Sequence, residues 1–141
     1  MNDSKIFRII VVEDNPADVY LLREALRQAG LHFELTVIED GAEALEFIHR
    51  KAAEIPKPDL AVLDLNLPSC GGIEILAAIR RNEHLADVPV AVVTSSAARL
   101  ERRQVENLGV ARFITKPADL AEFLKIGEVL KEVLTTTKTD A

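Results

Sequence analysis

The chain has 141 residues, of which 48% are hydrophobic and 28% are charged, as in an ordinary globular protein with one substantial core. The net charge of −6 disfavours a general nucleic-acid binder, which usually needs a basic surface. No apolar run approaches the roughly 20 residues of a membrane span, and no secretory signal precedes the first strand-like run. Since Cys70 is the only cysteine, we expect a cytoplasmic protein without an internal disulfide.

Short apolar runs alternate with amphipathic segments along the whole chain. The elements predicted in chain order are a strand at 6–12, a helix at 16–29, a strand at 33–38, a helix at 41–50, a strand at 60–65, a helix at 73–80, a strand at 88–93, a helix at about 97–107, a strand at 110–114 and a helix at about 118–134. Residues 51–58 contain two prolines and are expected to form a loop or a frayed helix end.

Strict alternation of five strands with five helices predicts an α/β protein. The connections are expected to be right-handed crossovers, which produce a doubly wound (βα)5 fold with a five-stranded parallel sheet covered on both faces. We expect one domain over residues 5–134 and a polar, flexible tail over 135–141.

Polar side chains stand at the carboxyl ends of four predicted strands. Listed by strand, they are Glu13 and Asp14, Asp64, Thr94 and Lys116. Each alone has a simple explanation as a turn residue, a helix N-cap or a solvated lysine. Because the carboxyl ends of parallel strands meet at one edge, where open sheets bind ligands, we expect the four groups to share one cleft.

Asp64 ends the most apolar run of the chain, where an unpaired buried carboxylate would be costly. Neighbouring carboxylates either hold a proton or bind a cation, and an incomplete cage of oxygen ligands favours Mg²⁺. The predicted ligands are Glu13, Asp14, Asp64 and the backbone carbonyl of Asn66. One carboxylate could then act as a nucleophile toward a phosphoryl group, with Lys116 neutralising charge and Thr94 donating a hydrogen bond.

In five motifs the chain resembles the receiver domain of bacterial two-component response regulators, from about Lys5 to Leu134. The motifs are Val11-Val12-Glu13-Asp14-Asn15, Leu63-Asp64-Leu65-Asn66-Leu67-Pro68, Gly72, Val93-Thr94-Ser95 and Phe113-Ile114-Thr115-Lys116-Pro117. The resemblance implies a flavodoxin-like strand order of 2-1-3-4-5. It also implies a signalling module that accepts phosphate from a sensor histidine kinase and turns over no metabolite.

The resemblance also implies a role for each matching position. Asp64 corresponds to the phosphoacceptor, Glu13 and Asp14 to the acidic pair that holds Mg²⁺, Asn66 to the carbonyl ligand, Lys116 to the characteristic lysine, and Thr94 and Phe113 to the switch residues. Phe113 stands where tyrosine is usual, so it has no hydroxyl; the alternative is that it serves only as a core residue. A cis peptide bond is expected between Lys116 and Pro117.

Within the family, the chain resembles the single-domain regulators that are paired with bacterial phytochromes. The motifs behind this likeness are Glu13-Asp14-Asn15-Pro16-Ala17-Asp18, Asp64 to Pro68 and Lys116-Pro117-Ala118-Asp119-Leu120. A phytochrome-type histidine kinase is therefore the expected partner. With no effector domain in the sequence, we expect output through protein contacts or through phosphotransfer to a histidine. One candidate is a homodimer through the fourth helix, the fifth strand and the last helix.

Two other function classes fit parts of the pattern. The first is a small Mg²⁺-dependent phosphatase with an aspartate nucleophile, but such enzymes generally place a second aspartate two positions later, where this chain has Asn66. The second is a flavodoxin-like binding module without phosphorylation. The full set of acidic, hydroxyl and lysine groups argues against that class.

Overall fold

The computed structural model describes residues 5–95 and 99–139. Its five strands form one sheet in the order β2-β1-β3-β4-β5, and every strand pair is parallel. The strands are β1 (Ile6–Val12), β2 (His32–Ile38), β3 (Leu60–Leu63), β4 (Val90–Thr94) and β5 (Arg112–Thr115). The predicted (βα)5 fold with strand order 2-1-3-4-5 is confirmed.

Helices cover both faces of this sheet. They are α1 (Pro16–Gln28), α2 (Gly41–Arg50), α3 (Gly72–Arg81), α4 (Arg99–Leu108), α5 (Leu120–Leu124) and α6 (Ile126–Thr139), with a short 3₁₀ helix at Ala52–Glu54. In the part of the chain that the structure describes, no helix is both long and apolar enough to cross a membrane.

The sheet separates two hydrophobic cores. One lies beneath α1, α5 and α6, and the other beneath α2, α3 and α4. Every residue of β3 and β4 is buried, whereas the edge strand β2 alternates between exposed and partly buried residues. This difference is expected, because the central strands of a parallel sheet are covered on both faces.

Capping residues define where the first two helices begin. Asn15 Oδ1 accepts a hydrogen bond from the amide of Ala17 at 2.9 Å, with Pro16 at the first helical position, and Asp40 Oδ1 accepts one from Ala42 at 2.7 Å. Both caps satisfy amides that the helix itself leaves without partners. As a result, Asp14 and Asp40 each lie between the carboxyl end of a strand and the start of a helix.

The structure corrects several predicted boundaries. β3 ends at Leu63, so Asp64 lies just beyond the strand, and β4 begins after Pro89, which has no amide to donate. The predicted last helix is divided at Lys125, where two tight i to i+3 hydrogen bonds, from Lys125 to Glu122 and from Glu128 to Lys125, replace regular helical bonding. Its second part, α6, continues to Thr139, five residues beyond the predicted end.

Candidate functional site

The predicted strand-end residues meet at the carboxyl edge of the sheet. Asp64 directly follows β3 and is only 4% exposed, and Thr94, the last residue of β4, is completely buried. Glu13 follows β1 and is also buried, while Lys116 follows β5. The topology of the parallel sheet therefore brings four side chains from four strands into one cleft.

Lys116 is the centre of the cluster. Its Nζ lies 2.7 Å from Glu13 Oε1, 2.7 Å from Asp18 Oδ2 and 2.8 Å from Asp64 Oδ2. Its backbone amide donates to the carbonyl of Thr94 at 2.8 Å, which holds the residue against the end of β4. An ammonium has three N–H donors, so these three carboxylates satisfy it completely.

The other oxygen of Asp64 is also hydrogen-bonded. Asp64 Oδ1 accepts from the hydroxyl of Thr94 at 2.8 Å and from the backbone amide of Asn66 at 3.0 Å. The charge of the buried carboxylate is thus compensated on both of its oxygens, which removes most of the cost of placing it there.

Three carboxylates in the cleft could hold a metal ion. One oxygen each from Glu13, Asp14 and Asp64 lies within 4.8 Å of the others, with Asp14 exposed and the other two buried. Glu13 is held in place by the backbone amide of Asn15, which donates to its Oε2 at 3.1 Å. A donor set of oxygens that is open to water on one side suits Mg²⁺, which keeps several of its waters.

The two buried carboxylates, Glu13 and Asp64, differ in pKa. Burial raises the pKa of Glu13 to about 7; the hydrogen bond from Lys116 opposes this rise, and the negative charge of Asp64 adds to it. Burial also acts against ionisation of Asp64, but hydrogen bonds from Lys116, the amide of Asn66 and Thr94 outweigh it and hold its pKa below the usual range. Of Glu13 and Asp64, Asp64 is therefore the carboxylate that stays ionised.

Burial alone would lower the pKa of Lys116, but its hydrogen bonds to Asp18, Asp64 and Glu13 outweigh that effect and raise the pKa above the usual range. The lysine is consequently a permanent positive charge in the cleft at physiological pH. A permanent cation there is suited to binding a negatively charged reacting group.

Asp18 belongs to this cluster although strand-end reasoning did not select it. It lies in the first turn of α1, four residues after Asp14, and its side chain is 21% exposed. One helical turn brings its carboxylate back over the end of β1, where Lys116 reaches it. The sequence signal was an acidic residue at this spacing, but a charge in the first turn of a helix is common for other reasons.

A close backbone contact shapes the loop between β3 and α3. A Cβ atom at Gly72 would lie 2.5 Å from the carbonyl oxygen of Asp64, so only glycine allows this approach. Ser69 adopts a φ of 64°, and its hydroxyl donates to Asp40 Oδ1 at 2.8 Å. These contacts fold the segment containing Asn66 back against the cleft and against the start of α2.

Phe113 is partly buried on β5, packed against the core beneath α2, α3 and α4. The guanidinium of Arg102, on α4, lies 5.0 Å from the centre of its ring, which is the geometry of a cation–π contact. One prediction near this site is wrong: the described residues contain no cis peptide bond, so Lys116–Pro117 is trans. The trans form is the lower-energy form of an X–Pro bond unless tertiary contacts favour the other.

Comparison with known proteins agrees with this geometry. A family model described as the response regulator receiver domain matches residues 9–128. Response regulator Rcp1 of Synechocystis sp. is 33% identical over 133 residues, which cover 93% of this chain and 90% of Rcp1. The crystal structure of the Mn²⁺-bound form of Rcp1 has a TM-score of 0.80 and covers 89% of this chain and 92% of its own, at 33% identity.

Two further crystal structures share the fold. The phosphorylated cyanobacterial phytochrome response regulator RcpA has a TM-score of 0.84 at 34% identity, covering 94% of this chain and 96% of its own. The other is the receiver domain of a sensor histidine kinase from Pseudomonas aeruginosa PAO1, with a magnesium ion coordinated in its active site cleft. It has a TM-score of 0.72 at 25% identity, covering 93% of this chain and 99% of its own. The chain therefore belongs to the response regulator receiver domain family and is related to response regulator Rcp1.

Proposed function

We propose that this protein accepts a phosphoryl group on Asp64 from a sensor histidine kinase of the phytochrome type, in a Mg²⁺-dependent reaction, and signals by altered protein–protein contacts. The observation that carries the proposal is the state of Asp64. It is a buried, ionised carboxylate at the edge of the cleft, 2.8 Å from the ammonium of Lys116 and 2.8 Å from the hydroxyl of Thr94. A nucleophile for phosphoryl transfer needs such a charge beside cationic groups.

In the proposed reaction an oxygen of Asp64 attacks the phosphorus atom of a phosphohistidine. A new O–P bond forms while the N–P bond breaks, and its electron pair remains on the imidazole nitrogen, which then takes a proton from water. Lys116 would neutralise charge on the phosphoryl oxygens, and the hydroxyl of Thr94 would donate to one of them; the contacts of both groups with Asp64 support these roles.

The residues proposed to hold Mg²⁺ are Glu13, Asp14 and Asp64, together with the backbone carbonyl of Asn66. Support comes from the clustering of the three carboxylates, and from the relatives whose crystal structures contain Mn²⁺ or a magnesium ion. Bound there, the ion would neutralise charge on the transferring phosphoryl group. We expect chelation with EDTA to abolish phosphorylation.

Thr94 and Phe113 are the proposed switch. The hydroxyl of Thr94 donates to Asp64, so a phosphoryl group on Asp64 would change the partner of this hydroxyl. Phe113 has no hydroxyl to hydrogen-bond, and its contact with Arg102 of α4 would respond to a movement of β5 or α4. The proposed output is a change in the face formed by α4, β5 and the last helical segment, α5 with α6, through which a homodimer could form.

Phosphate uptake tests the proposal directly. The protein is incubated with acetyl phosphate and Mg²⁺, and the attached phosphate is measured by mass spectrometry for the wild type, Asp64→Asn and Asp87→Asn. Asp87 is an exposed aspartate at the opposite end of the sheet, so its variant controls for the lost charge. We expect one phosphoryl group on the wild type and on the control and none on Asp64→Asn; uptake by Asp64→Asn, or none by the wild type, overturns the proposal.

The kinase and the output are tested separately. Phosphotransfer from purified phytochrome-type histidine kinases is compared with transfer from kinases of other sensor classes, and a clear preference for the former is expected. Sedimentation before and after phosphorylation then measures whether the oligomeric state changes. Equal transfer from all the kinases would contradict the phytochrome assignment while leaving the phosphoacceptor assignment intact.

A further inference from the structure

The proposed reaction gives no role to Asp18, although this residue makes one of the three ion pairs of Lys116. Its Oδ2 lies 2.7 Å from Nζ, as close as Glu13 Oε1 and slightly closer than Asp64 Oδ2. Asp18 is the only member of the cluster that lies within a helix, and its carboxylate connects α1 to the loop that follows β5. The ion pair is largely shielded from water, since the lysine side chain is 11% exposed.

The charges in the cleft are unbalanced. Three carboxylates, those of Glu13, Asp18 and Asp64, contact the single ammonium of Lys116, and a fourth, that of Asp14, lies beside Glu13 and Asp64. Asp18 Oδ2 and Asp64 Oδ2 both lie within 2.8 Å of Nζ, which limits the distance between the two oxygens to less than twice that value. A phosphoryl group on Asp64 would therefore add negative charge close to Asp18, where little water screens the repulsion.

Asp18 also accepts a hydrogen bond from an N–H group of Lys116 that could otherwise donate to a phosphoryl oxygen. All three N–H groups of the lysine are engaged by carboxylates before any phosphoryl group arrives. On phosphorylation, the donor that faces Asp64 becomes available to the phosphoryl group. The donor that faces Asp18 remains engaged by a full negative charge.

We propose that Asp18 is a positioning residue that competes with the phosphoryl group for Lys116 and thereby destabilises the phosphorylated state. The inference rests on the proposed function. Its physical basis is the 2.7 Å ion pair together with the excess of carboxylates around one ammonium. Asp18 acts through Lys116 and forms no bond to the phosphoryl group.

Beryllofluoride, a stable mimic of the phosphoryl group, measures this competition at equilibrium. Its binding is followed by isothermal titration calorimetry at saturating Mg²⁺ for the wild type and for Asp18→Asn. Asparagine keeps an oxygen that can accept from Lys116, so the substitution removes the charge while preserving the geometry. We expect Asp18→Asn to bind beryllofluoride about tenfold more tightly.

Matched variants separate this effect from simpler explanations. Glu24→Gln removes a charge from the same helix at a residue that pairs with Arg27 and not with Lys116; we expect less than a twofold change. Asp18→Glu keeps the charge and is expected to bind like the wild type. If Asp18→Asn does not fold, Asp18→Ser, which is also uncharged and suits the start of a helix, is measured in its place.

The outcomes distinguish the inference from the function on which it rests. Unchanged or weaker binding by Asp18→Asn overturns the inference, as does an equal gain by Glu24→Gln, because the effect would then be one of general charge. Absence of beryllofluoride binding by the wild type overturns the proposed function, and the inference with it. Tighter binding by Asp18→Asn alone, with wild-type behaviour of Asp18→Glu, supports both.

Discussion

Thr94 and Asp64 stand at the ends of adjacent strands, and the hydroxyl of Thr94 donates to Asp64 Oδ1 at 2.8 Å. Both residues are buried. The hydroxyl is one of only two hydrogen-bond donors on that oxygen among the described residues, the other being the amide of Asn66. The pair therefore couples Asp64, the proposed phosphoacceptor, to the end of β4.

Removal of the Thr94 hydroxyl should measurably destabilise the fold. Thr94→Val keeps the β-branched shape that suits a strand but leaves a buried carboxylate with one donor fewer, at a cost of about 1–3 kcal/mol in the free energy of unfolding. Urea unfolding at pH 7 in EDTA measures it. Thr115→Val is the control, because Thr115 faces Thr94 in the register of β4 and β5 but is exposed, and we expect a change below about 0.5 kcal/mol. Equal losses in the two variants would contradict the importance of the hydrogen bond.

Glu13 should make the metal-free protein less stable as the pH rises. Burial raises its pKa from 4.5 to about 7, so between these values the folded state binds more protons than the unfolded state, and the free energy of unfolding falls. The full loss is about 3 kcal/mol. The lowered pKa of Asp64 changes the free energy of unfolding only below about pH 3.8, and the raised pKa of Lys116 changes it only above about pH 10.5. Both ranges lie outside this window.

Urea unfolding in EDTA at half-unit steps from pH 4.5 to 8 tests the sign. We expect the wild type to lose stability up to about pH 7 and then to level off. Glu13→Gln, which cannot ionise, should show a much flatter profile over the same range. Parallel profiles for the two proteins would show that another group causes the pH dependence.

The sequence was sufficient to predict the sheet and most of the cleft, because both depend on local patterns. Apolar runs such as Leu60 to Leu63 indicate buried strands, and parallel connections bring the residues after those strands to one edge. For this reason the sequence alone is enough to group Glu13, Asp64, Thr94 and Lys116. Their clustering follows from topology and does not require knowledge of side-chain packing.

Features that depend on packing between distant elements could not be predicted in this way. Asp18 and Arg80 look like ordinary charges on amphipathic helices, and only the folded chain brings them to Lys116 and to four backbone carbonyls. The division of the last helix at Lys125 also lies within a continuous helical pattern. Asp18 and Arg80 have contact partners that are distant in sequence. The helical pattern around Lys125 likewise gives no sign of the division.

Gly127 lies where two helices pack closely, and this position should not tolerate a side chain. A Cβ atom there would lie 2.0 Å from the carbonyl oxygen of Ala25, so α6 passes α1 at backbone contact. Gly127→Ala must push the helices apart, and we expect a loss of about 1–3 kcal/mol in the free energy of unfolding despite the better helix propensity of alanine. Thermal and urea unfolding measure it.

Gly71→Ala is the matched control for this substitution. Its φ is −74°, and a Cβ atom there would meet nothing within 4 Å, so we expect a change of less than about 1 kcal/mol. If Gly127→Ala were equally harmless, the contact between α6 and α1 would have to be looser than the structure indicates.

Arg80 should be irreplaceable by lysine. Its guanidinium, which is partly buried, donates to the carbonyls of Ala86 and Val88 before β4 and of Leu108 and Gly109 at the end of α4. A planar fork of five donors can serve four acceptors on two segments at once, whereas an ammonium on a flexible chain cannot. We expect Arg80→Lys to lower the free energy of unfolding by about 2–3 kcal/mol.

Hydrogen exchange adds a local measurement to the global one. Because Arg80 ties the end of α4 to the loop before β4, Arg80→Lys should accelerate amide exchange at the end of α4 more than in β1. Arg81→Lys is the control, since the adjacent Arg81 is exposed; we expect a change within about 0.5 kcal/mol and unaltered exchange. If amide exchange in Arg80→Lys were accelerated uniformly over the whole chain, Arg80 would contribute to global stability without fixing the end of α4 in particular.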